Sequence, residues 1–238
     1  MALNGTRAAA VRAERDGAGG SNDEVYDKIY HAILEHRLHP GTKLAEERLA
    51  EIFGVSRARV REVLARLAVE QVVDLIPQRG AFVARPSVEQ ARDVFEARRL
   101  IEPAVARRLV GVLDAERLRR LREHLALEEA ARQRDDKRAI VRLSGQFHTL
   151  LAELAGNSAY ARTMRELATR TCLAIVLYDA PTATSCRADE HALIVDAIEA
   201  RDAARAEALM LEHLEHIERG MRLDAAAGEV DLAAVFGL

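Results

Sequence analysis

The hydrophobic pattern of this chain changes its period once, and that change limits the folds open to it. Up to about residue 70, apolar residues recur at helical spacing, as Val25, Ile29 and Ile33 show. Two short apolar runs, VVDLIP and AFVA, then flank the tripeptide QRG. Short β-branched runs on either side of a turn predict a small hairpin. The first 85 residues therefore combine helices with a two-stranded ribbon.

The order of the elements before the ribbon narrows the choice further. Pro40 and Gly41 end a first helix, a short helix is predicted over residues 46–53, and Ser56 can cap a third over residues 57–70. Helix, helix, tight turn, helix and ribbon form the outline of a winged helix-turn-helix. The alternative is a small α/β packing domain without a ligand.

The remainder of the chain has a helical pattern throughout. Ser87 and Gln90 have the spacing of a capping box, and Gly and Pro are scarce, at 13 and 5 residues. Six helices are predicted, at about 88–110, 115–134, 137–155, 158–178, 186–200 and 203–221. We therefore expect a mainly α protein, with a winged helix-turn-helix domain followed by a six-helix antiparallel bundle. The expected parts are a disordered tail (1–20), the two domains (21–85 and 86–222) and a C-terminal tail (223–238).

Charge and composition exclude several classes of protein. The formal net charge is -3, so any contact with nucleic acid requires a local basic patch rather than bulk basicity. No apolar run approaches the roughly 18 residues of a membrane span, and the N-terminus lacks the apolar core of a signal peptide. The two cysteines, Cys172 and Cys186, form no disulfide framework. These features favour a cytoplasmic protein without a membrane partner.

A cluster of arginines on the third helix supplies such a basic patch. Arg57 and Arg61 lie four residues apart, away from the apolar stripe that includes Val60 and Leu64. Arginine can bind guanine O6 and N7 or a phosphate, and a helix N-terminus can take a phosphate oxygen. The alternative is a solvated face whose arginines pair with acidic neighbours such as Glu51 and Glu62. The predicted DNA-binding residues are Arg48, Ser56, Arg57, Arg59, Arg61, Arg79 and Gly80.

Three histidines predict a metal site in the bundle. His148, His191 and His213 each lie on the apolar stripe of a different predicted helix, so all three point toward one interior. One such histidine is usually a hydrogen-bonded core residue, whereas three with an open position suit Zn²⁺, Ni²⁺ or a similar divalent ion. His216, one turn beyond His213, is expected to be solvated.

The run KLAEERLAEIFGVSRARVREVLARLAVEQVVDLIPQRGAFVA closely resembles the DNA-binding domain of GntR-family bacterial transcription regulators. The motifs EARRLIEP (96–103), FH (147–148), AGN (155–157), DEH (189–191) and MLEHL (210–214) resemble the FCD-type effector domain of the FadR subfamily. The resemblance covers about residues 23–221. It implies a homodimer that binds a palindromic operator, usually represses, and releases DNA when a small metabolite, often an organic acid, binds the helical domain.

The resemblance also bears on the candidate sites. Many relatives have an aspartate as a fourth ligand where this chain has Ser144, so metal binding is expected to be weaker here. Arg98 and Glu102 match an R-x-x-x-E pattern, which implies that Arg98 faces the cavity, where it could bind a carboxylate bidentately. The alternative is a purely structural ion pair between Arg98 and Glu102.

Two other classes of protein remain as rivals to a regulator. A metalloenzyme also uses three histidines and an open position, but no general base is predicted beside them, and Glu190 is expected on another helical face. We therefore expect no enzymatic activity. The other rival is a structural dimerisation module without ligands. Cys172, Tyr178 and Cys186 are expected to pack in the core rather than to line a site.

Overall fold

The computed structural model describes residues 21–178 and 189–223. The N-terminal domain contains α1 (Asn22–Leu34), β1 (Lys43–Leu44), α2 (Glu46–Phe53), α3 (Arg57–Val69), β2 (Val73–Ile76) and β3 (Gly80–Val83). The helical domain contains α4 (Val88–Val112), α5 (Ala115–Gln133), α6 (Lys137–Leu154), α7 (Ser158–Tyr178), α8 (Glu190–Glu199) and α9 (Ala203–Gly220). The expected winged helix-turn-helix followed by a helical bundle is confirmed over these residues.

Helix capping explains where α1 and α3 begin. Ser21 and Glu24 form a capping box at the start of α1, and the Ser56 side chain accepts a hydrogen bond from the Arg59 N–H at the start of α3. Gly54 ends α2 with a left-handed φ of 64°, which glycine adopts without strain. The resulting tight turn orients α3 across α2.

The ribbon is a three-stranded antiparallel sheet in the order β1-β3-β2. β2 and β3 form the predicted hairpin, in which Val73 pairs with Val83 and Ile76 with Gly80. β1, which the sequence analysis did not predict, pairs Leu44 with Ala81. Two residues are too few to show the alternating pattern of a strand, so β1 can be recognised only from its pairing with β3.

Each helix of the bundle contributes residues to one apolar core. α4 begins at the predicted Ser87–Gln90 capping box and extends two residues beyond its predicted end. The core includes Leu109, Phe147, Met164 and Ile198. Four of the predicted ranges agree with α5, α6, α7 and α9 to within a residue or two. For α8 the expected residues 186–188 lie outside the described residues, as do Cys186 and both expected tails apart from Leu223.

The two domains are joined by a packed contact as well as by the chain. Leu173 of α7 is buried within the apolar core of the N-terminal domain, and the Tyr30 hydroxyl of α1 lies 2.6 Å from Thr169 Oγ1 of α7.

Leu223, expected to begin the C-terminal tail, is buried and its carbonyl accepts a hydrogen bond from Arg92. Within the described ranges, no helix combines the length and apolar character needed to cross a bilayer.

Candidate functional site

The three predicted histidines converge in the middle of the bundle. His148 of α6, His191 of α8 and His213 of α9 are each at most 2% exposed. His213 Nε2 lies 3.3 Å from His191 Nε2 and 3.3 Å from His148 Nε2. One nitrogen from each ring lies within 4.8 Å of the other two. The three rings therefore point the same type of atom at one place.

A carboxylate fixes the orientation of each ring from behind. His148 Nδ1 lies 2.5 Å from Glu102 Oε2, and His191 Nδ1 lies 2.9 Å from Glu128 Oε1. The third ring, that of His213, is held by Glu190, whose Oε2 lies 2.8 Å from His213 Nδ1. An ionised carboxylate only accepts hydrogen bonds, so each Nδ1 carries the proton and each Nε2 presents a lone pair.

This donor set fits a divalent transition-metal ion. Three converging lone pairs without a proton between them repel each other unless a cation lies among them. Two nitrogens at about 2.05 Å from a tetrahedral ion are about 3.3 Å apart, which agrees with the two measured Nε2–Nε2 distances. Imidazole ligands backed by carboxylates are typical of zinc and nickel sites.

Glu102 connects this histidine cluster to Arg98, one turn earlier on α4. The Glu102 Oε1 atom accepts a hydrogen bond from Arg98 Nε at 2.5 Å, while Oε2 serves His148. Arg98 Nη1 also donates to Thr171 Oγ1 at 3.0 Å. The predicted Arg98–Glu102 pair is therefore present, and both carboxylate oxygens are occupied by partners within the protein.

Arg98 nevertheless keeps one unused donor. Its side chain is 1% exposed, and among the described residues Nη2 has no hydrogen-bond partner. Arg98 lines a cavity of about 20 Å³ together with Ser144, His148, Thr171 and Cys172. A buried guanidinium nitrogen without an acceptor is costly unless a ligand or water supplies one.

Burial and charge set the ionisation of this cluster. Burial raises the pKa of Glu102, but the Arg98 and His148 side chains more than offset that effect and lower this pKa to about 2. Burial likewise raises the pKa of Glu128, and hydrogen bonds from His124 and His191 lower it to about 2. Burial lowers the pKa of His148 to about 3. The carboxylates are thus charged and the His148 ring is neutral at pH 7.

One sequence expectation about this region was wrong. Glu190 was expected to point along another helical face, away from the histidines, yet it contacts His213, and its Oε1 lies 2.8 Å from His216 Nδ1. His216, expected to be solvated, is 34% exposed and is also paired with this carboxylate. The first turn of α8 lies against α9, and the hydrophobic pattern of one helix does not show which helix packs beside it.

Tyr178 was expected to pack in the core rather than to line a site. Its hydroxyl donates a hydrogen bond to the Pro86 carbonyl at 2.8 Å.

On the N-terminal domain, α3 presents its predicted arginines to solvent. The side chains of Arg57 and Arg61 are 55% and 65% exposed, and Ser56 at the helix start is also exposed. Arg48 on α2 is exposed and pairs with Glu51 at 3.0 Å, as the alternative of a solvated face anticipated.

Arg59 differs from the other arginines of the patch. Its side chain is half-buried, and Nε donates to the Asn22 side chain at the start of α1. The side chain therefore lies on a different side of α3 from Arg57 and Arg61, against the neighbouring helix.

The hairpin tip carries a second basic surface. Arg79 and Gly80 are exposed, and Gly80 has a left-handed φ of 97°. The Arg79 guanidinium lies 5.6 Å from the Phe82 ring centroid, and Lys43 Nζ lies 6.0 Å from the same centroid. Lys43 was missed by the sequence analysis because β1 was missed, and only its pairing with β3 brings it here.

Comparison with known proteins identifies the two domains. The family model described as "Bacterial regulatory proteins, gntR family" matches residues 21–83, and the FCD domain model matches residues 93–216, just over half of the chain. The chain belongs to the GntR family, with an FCD domain. This GntR protein is thus a DNA-binding transcriptional regulator, and membership decides against the metalloenzyme.

Relatives of this GntR protein span most of its length. The HTH-type transcriptional repressor RspR of Escherichia coli (strain K12) is 29% identical over 84% of this chain and 89% of its own. The putative L-lactate dehydrogenase operon regulatory protein of the same strain is 29% identical, over 84% and 86%. A solved structure of a putative GntR regulator from Rhodococcus sp. RHA1 has a TM-score of 0.74 at 24% identity, over 86% and 98%, and shares the fold.

Proposed function

We propose that this regulator is a metabolite-responsive repressor that binds a palindromic operator as a homodimer. The name of RspR describes a repressor, and the exposed arginines of α3 follow a helix-turn-helix, the arrangement that places such side chains in the major groove. Two such helices read a palindrome only when a two-fold axis relates them. Action on DNA places the regulator in the cytoplasm.

The metabolite is a small carboxylic acid bound beside Arg98. The observation that carries this proposal is the buried Nη2 donor of Arg98, which has no acceptor among the described residues, in a side chain that lines a cavity. A carboxylate supplies two acceptors in the geometry of the guanidinium. The name of the E. coli regulator of an L-lactate dehydrogenase operon links one relative to a carboxylic acid.

His148, His191 and His213 hold a divalent metal, zinc or nickel, next to this cavity. The metal, when bound, supplies positive charge and an open position for an oxygen ligand. Ser144 lines the cavity one turn before His148, and a hydroxyl is a poor neutral substitute for the aspartate of many relatives. Arg98 and Glu102 keep their protein contacts and determine how an acid is oriented.

Calorimetry with Zn²⁺-loaded protein tests the sensor. Acetate, glycolate, lactate and malate are compared with acetamide and lactamide, which match two of the acids in size but lack charge. Binding of at least one acid and of neither amide is expected, and Arg98→Gln should abolish it. Arg99→Gln, which removes a partly exposed partner of Glu218, should leave binding unchanged. Equal binding by the Arg98→Gln variant would contradict the proposal.

Sedimentation tests the assembly. The protein at micromolar concentration should sediment with twice the mass of one 26.3 kDa chain, because two reading helices must be held at a fixed spacing. A monomer mass at that concentration, and also with operator DNA added, would contradict the homodimer.

A further inference from the structure

Two exposed arginines of α3, Arg57 and Arg61, have carboxylate partners on α2. Arg61 Nε donates to Glu46 Oε1 at 3.2 Å, and Arg61 Nη2 donates to Glu46 Oε2 at 2.7 Å. Arg57 Nη1 donates to Glu47 Oε1 at 2.6 Å, and its Nη2 lies 3.8 Å from Glu46. Of these two arginines, only Arg61 has two parallel hydrogen bonds to one carboxylate, which fix a plane as well as a distance.

The pair is arranged with the carboxylate beneath and the guanidinium outermost. The Glu46 side chain is 28% exposed, against 65% for Arg61. The hydrogen bond from Arg61 lowers the pKa of Glu46, so the carboxylate is charged at neutral pH. Because Glu46 takes Nε and one proton of Nη2, three protons on Nη1 and Nη2 remain available at the far end of the guanidinium.

Those remaining protons suit a guanine edge. Two donors at the end of an arginine fork match guanine O6 and N7 in the major groove. A free arginine side chain samples many rotamers, whereas two hydrogen bonds to Glu46 restrict this one, so less conformational entropy is lost when a guanine is bound. The negative charge of Glu46 also repels phosphates, which all DNA sequences present equally.

We propose that Glu46 is a specificity-determining residue, which positions Arg61 for a base edge and disfavours its use on the phosphate backbone. This inference rests on the proposed role of α3 as the reading helix. An exposed ion pair contributes little to folding, so the effect of Glu46 is on the choice of DNA sequence rather than on stability.

The test compares Glu46→Gln with a matched control from the helical domain. Glu116→Gln removes an exposed carboxylate of α5 that also accepts two hydrogen bonds from one arginine, Arg119, and makes the same chemical change. The probes are a duplex that the wild-type protein selects from a randomised library and a scrambled duplex of equal length and composition. Fluorescence anisotropy at three salt concentrations gives both dissociation constants, and circular dichroism checks that each variant is folded.

Glu46→Gln should bind the selected duplex several-fold more weakly and the scrambled duplex several-fold more tightly. The ratio of the two affinities should then fall about tenfold. The salt dependence on scrambled DNA should steepen by about one counterion, because Arg61 is released to a phosphate. Glu116→Gln should keep the wild-type ratio within twofold. Replacing the contacted guanine by 7-deazaguanine should weaken the wild type more than Glu46→Gln.

An unchanged affinity ratio for Glu46→Gln would overturn the inference and leave Glu46 as a surface ion pair. Arg61→Ala separates this failure from failure of the proposed function. If Arg61→Ala binds the selected duplex as the wild type does, α3 is not the reading helix. If it loses that binding while Glu46→Gln keeps the full ratio, only the role of Glu46 is wrong.

Discussion

Glu102 is shared by two groups of different chemistry, since one oxygen serves Arg98 and the other serves His148. Both contacts are buried, so water cannot take the place of the carboxylate as the hydrogen-bond partner of Arg98 or of His148. The position and charge of the arginine are therefore tied to the orientation of the histidine. A change at Glu102 should disturb both.

Glu102→Gln should lower Zn²⁺ affinity about 10- to 100-fold, the usual effect of losing a carboxylate behind a ligand histidine. It should also lower the free energy of unfolding by about 3 kcal/mol, because the buried Arg98 loses its charged partner. Chelator competition and urea unfolding measure the two effects. Glu129→Gln, which removes an exposed partner of Arg132, is the control. Loss of neither property would show that Glu102 holds neither group.

Ser144 sets the strength of the proposed metal site. Ser144→Asp should raise Zn²⁺ affinity at least tenfold, since a carboxylate one turn before His148 adds a charged oxygen ligand. Asparagine has nearly the same shape as aspartate but no charge, so the Zn²⁺ affinity of Ser144→Asn should stay near that of the wild type. Competition titration with a chelator distinguishes the variants. An equal gain for Asn and Asp would indicate a packing effect.

The sequence predicts those residues of this site whose position is indicated by the hydrophobic pattern of their own helix. The three histidines were predicted because each lies on the apolar stripe of its helix. Glu128, which holds His191, was not predicted, because the two are 63 positions apart and only the packing of α5 on α8 brings them together.

At the scale of whole elements, helices were predicted to within a few residues because caps and period are local signals. β1 was missed because its residues become a strand only by pairing. The role of Glu46 could not be predicted from the sequence, since its contact with Arg61 depends on the angle that the turn at Gly54 sets between α2 and α3.

The contact between α6 and α7 depends on the absence of a side chain at Gly145. A Cβ atom added there would lie 2.8 Å from Cys172 Sγ, closer than such atoms normally approach. Cys172 is buried and lines the same cavity as Arg98. The helices pack closely at this point, next to the proposed sensor.

Gly145→Ala should lower the free energy of unfolding by about 1–2 kcal/mol. The clash costs about 1–3 kcal/mol, and the higher helix propensity of alanine returns up to about 1 kcal/mol. Cys172→Ala removes the obstructing sulfur, so the double variant should be more stable than the sum of the single effects indicates. Strict additivity in urea unfolding would show that the two positions do not meet.

At the scale of the whole molecule, one pair of threonines connects the proposed sensor to the N-terminal domain. The Thr169 and Thr171 hydroxyls donate to the carbonyls of Arg165 and Leu167. Their oxygens are therefore acceptors, for the Tyr30 hydroxyl and for Arg98 respectively. Two positions of α7 thus contact different domains.

Tyr30→Phe should speed amide hydrogen exchange in both α1 and α7, because it removes a hydrogen bond worth about 1 kcal/mol between them. Tyr26→Phe is the matched control, since the Tyr26 hydroxyl contacts Glu70 within the N-terminal domain. That variant should change exchange in α1 and not in α7. If Tyr30→Phe leaves α7 unchanged, this bond does not hold the domains together.

The small volume of the cavity beside Arg98 limits how fast an acid could bind there. About 20 Å³ accommodates one water molecule, so the proposed organic acid would enter only after the surrounding helices separate. The observed association rate should therefore level off at high acid concentration, where helix separation becomes limiting. Stopped-flow mixing of Zn²⁺-loaded protein with the acid measures this plateau. Escape requires the same opening, so transcription would lag behind both a rise and a fall in the metabolite.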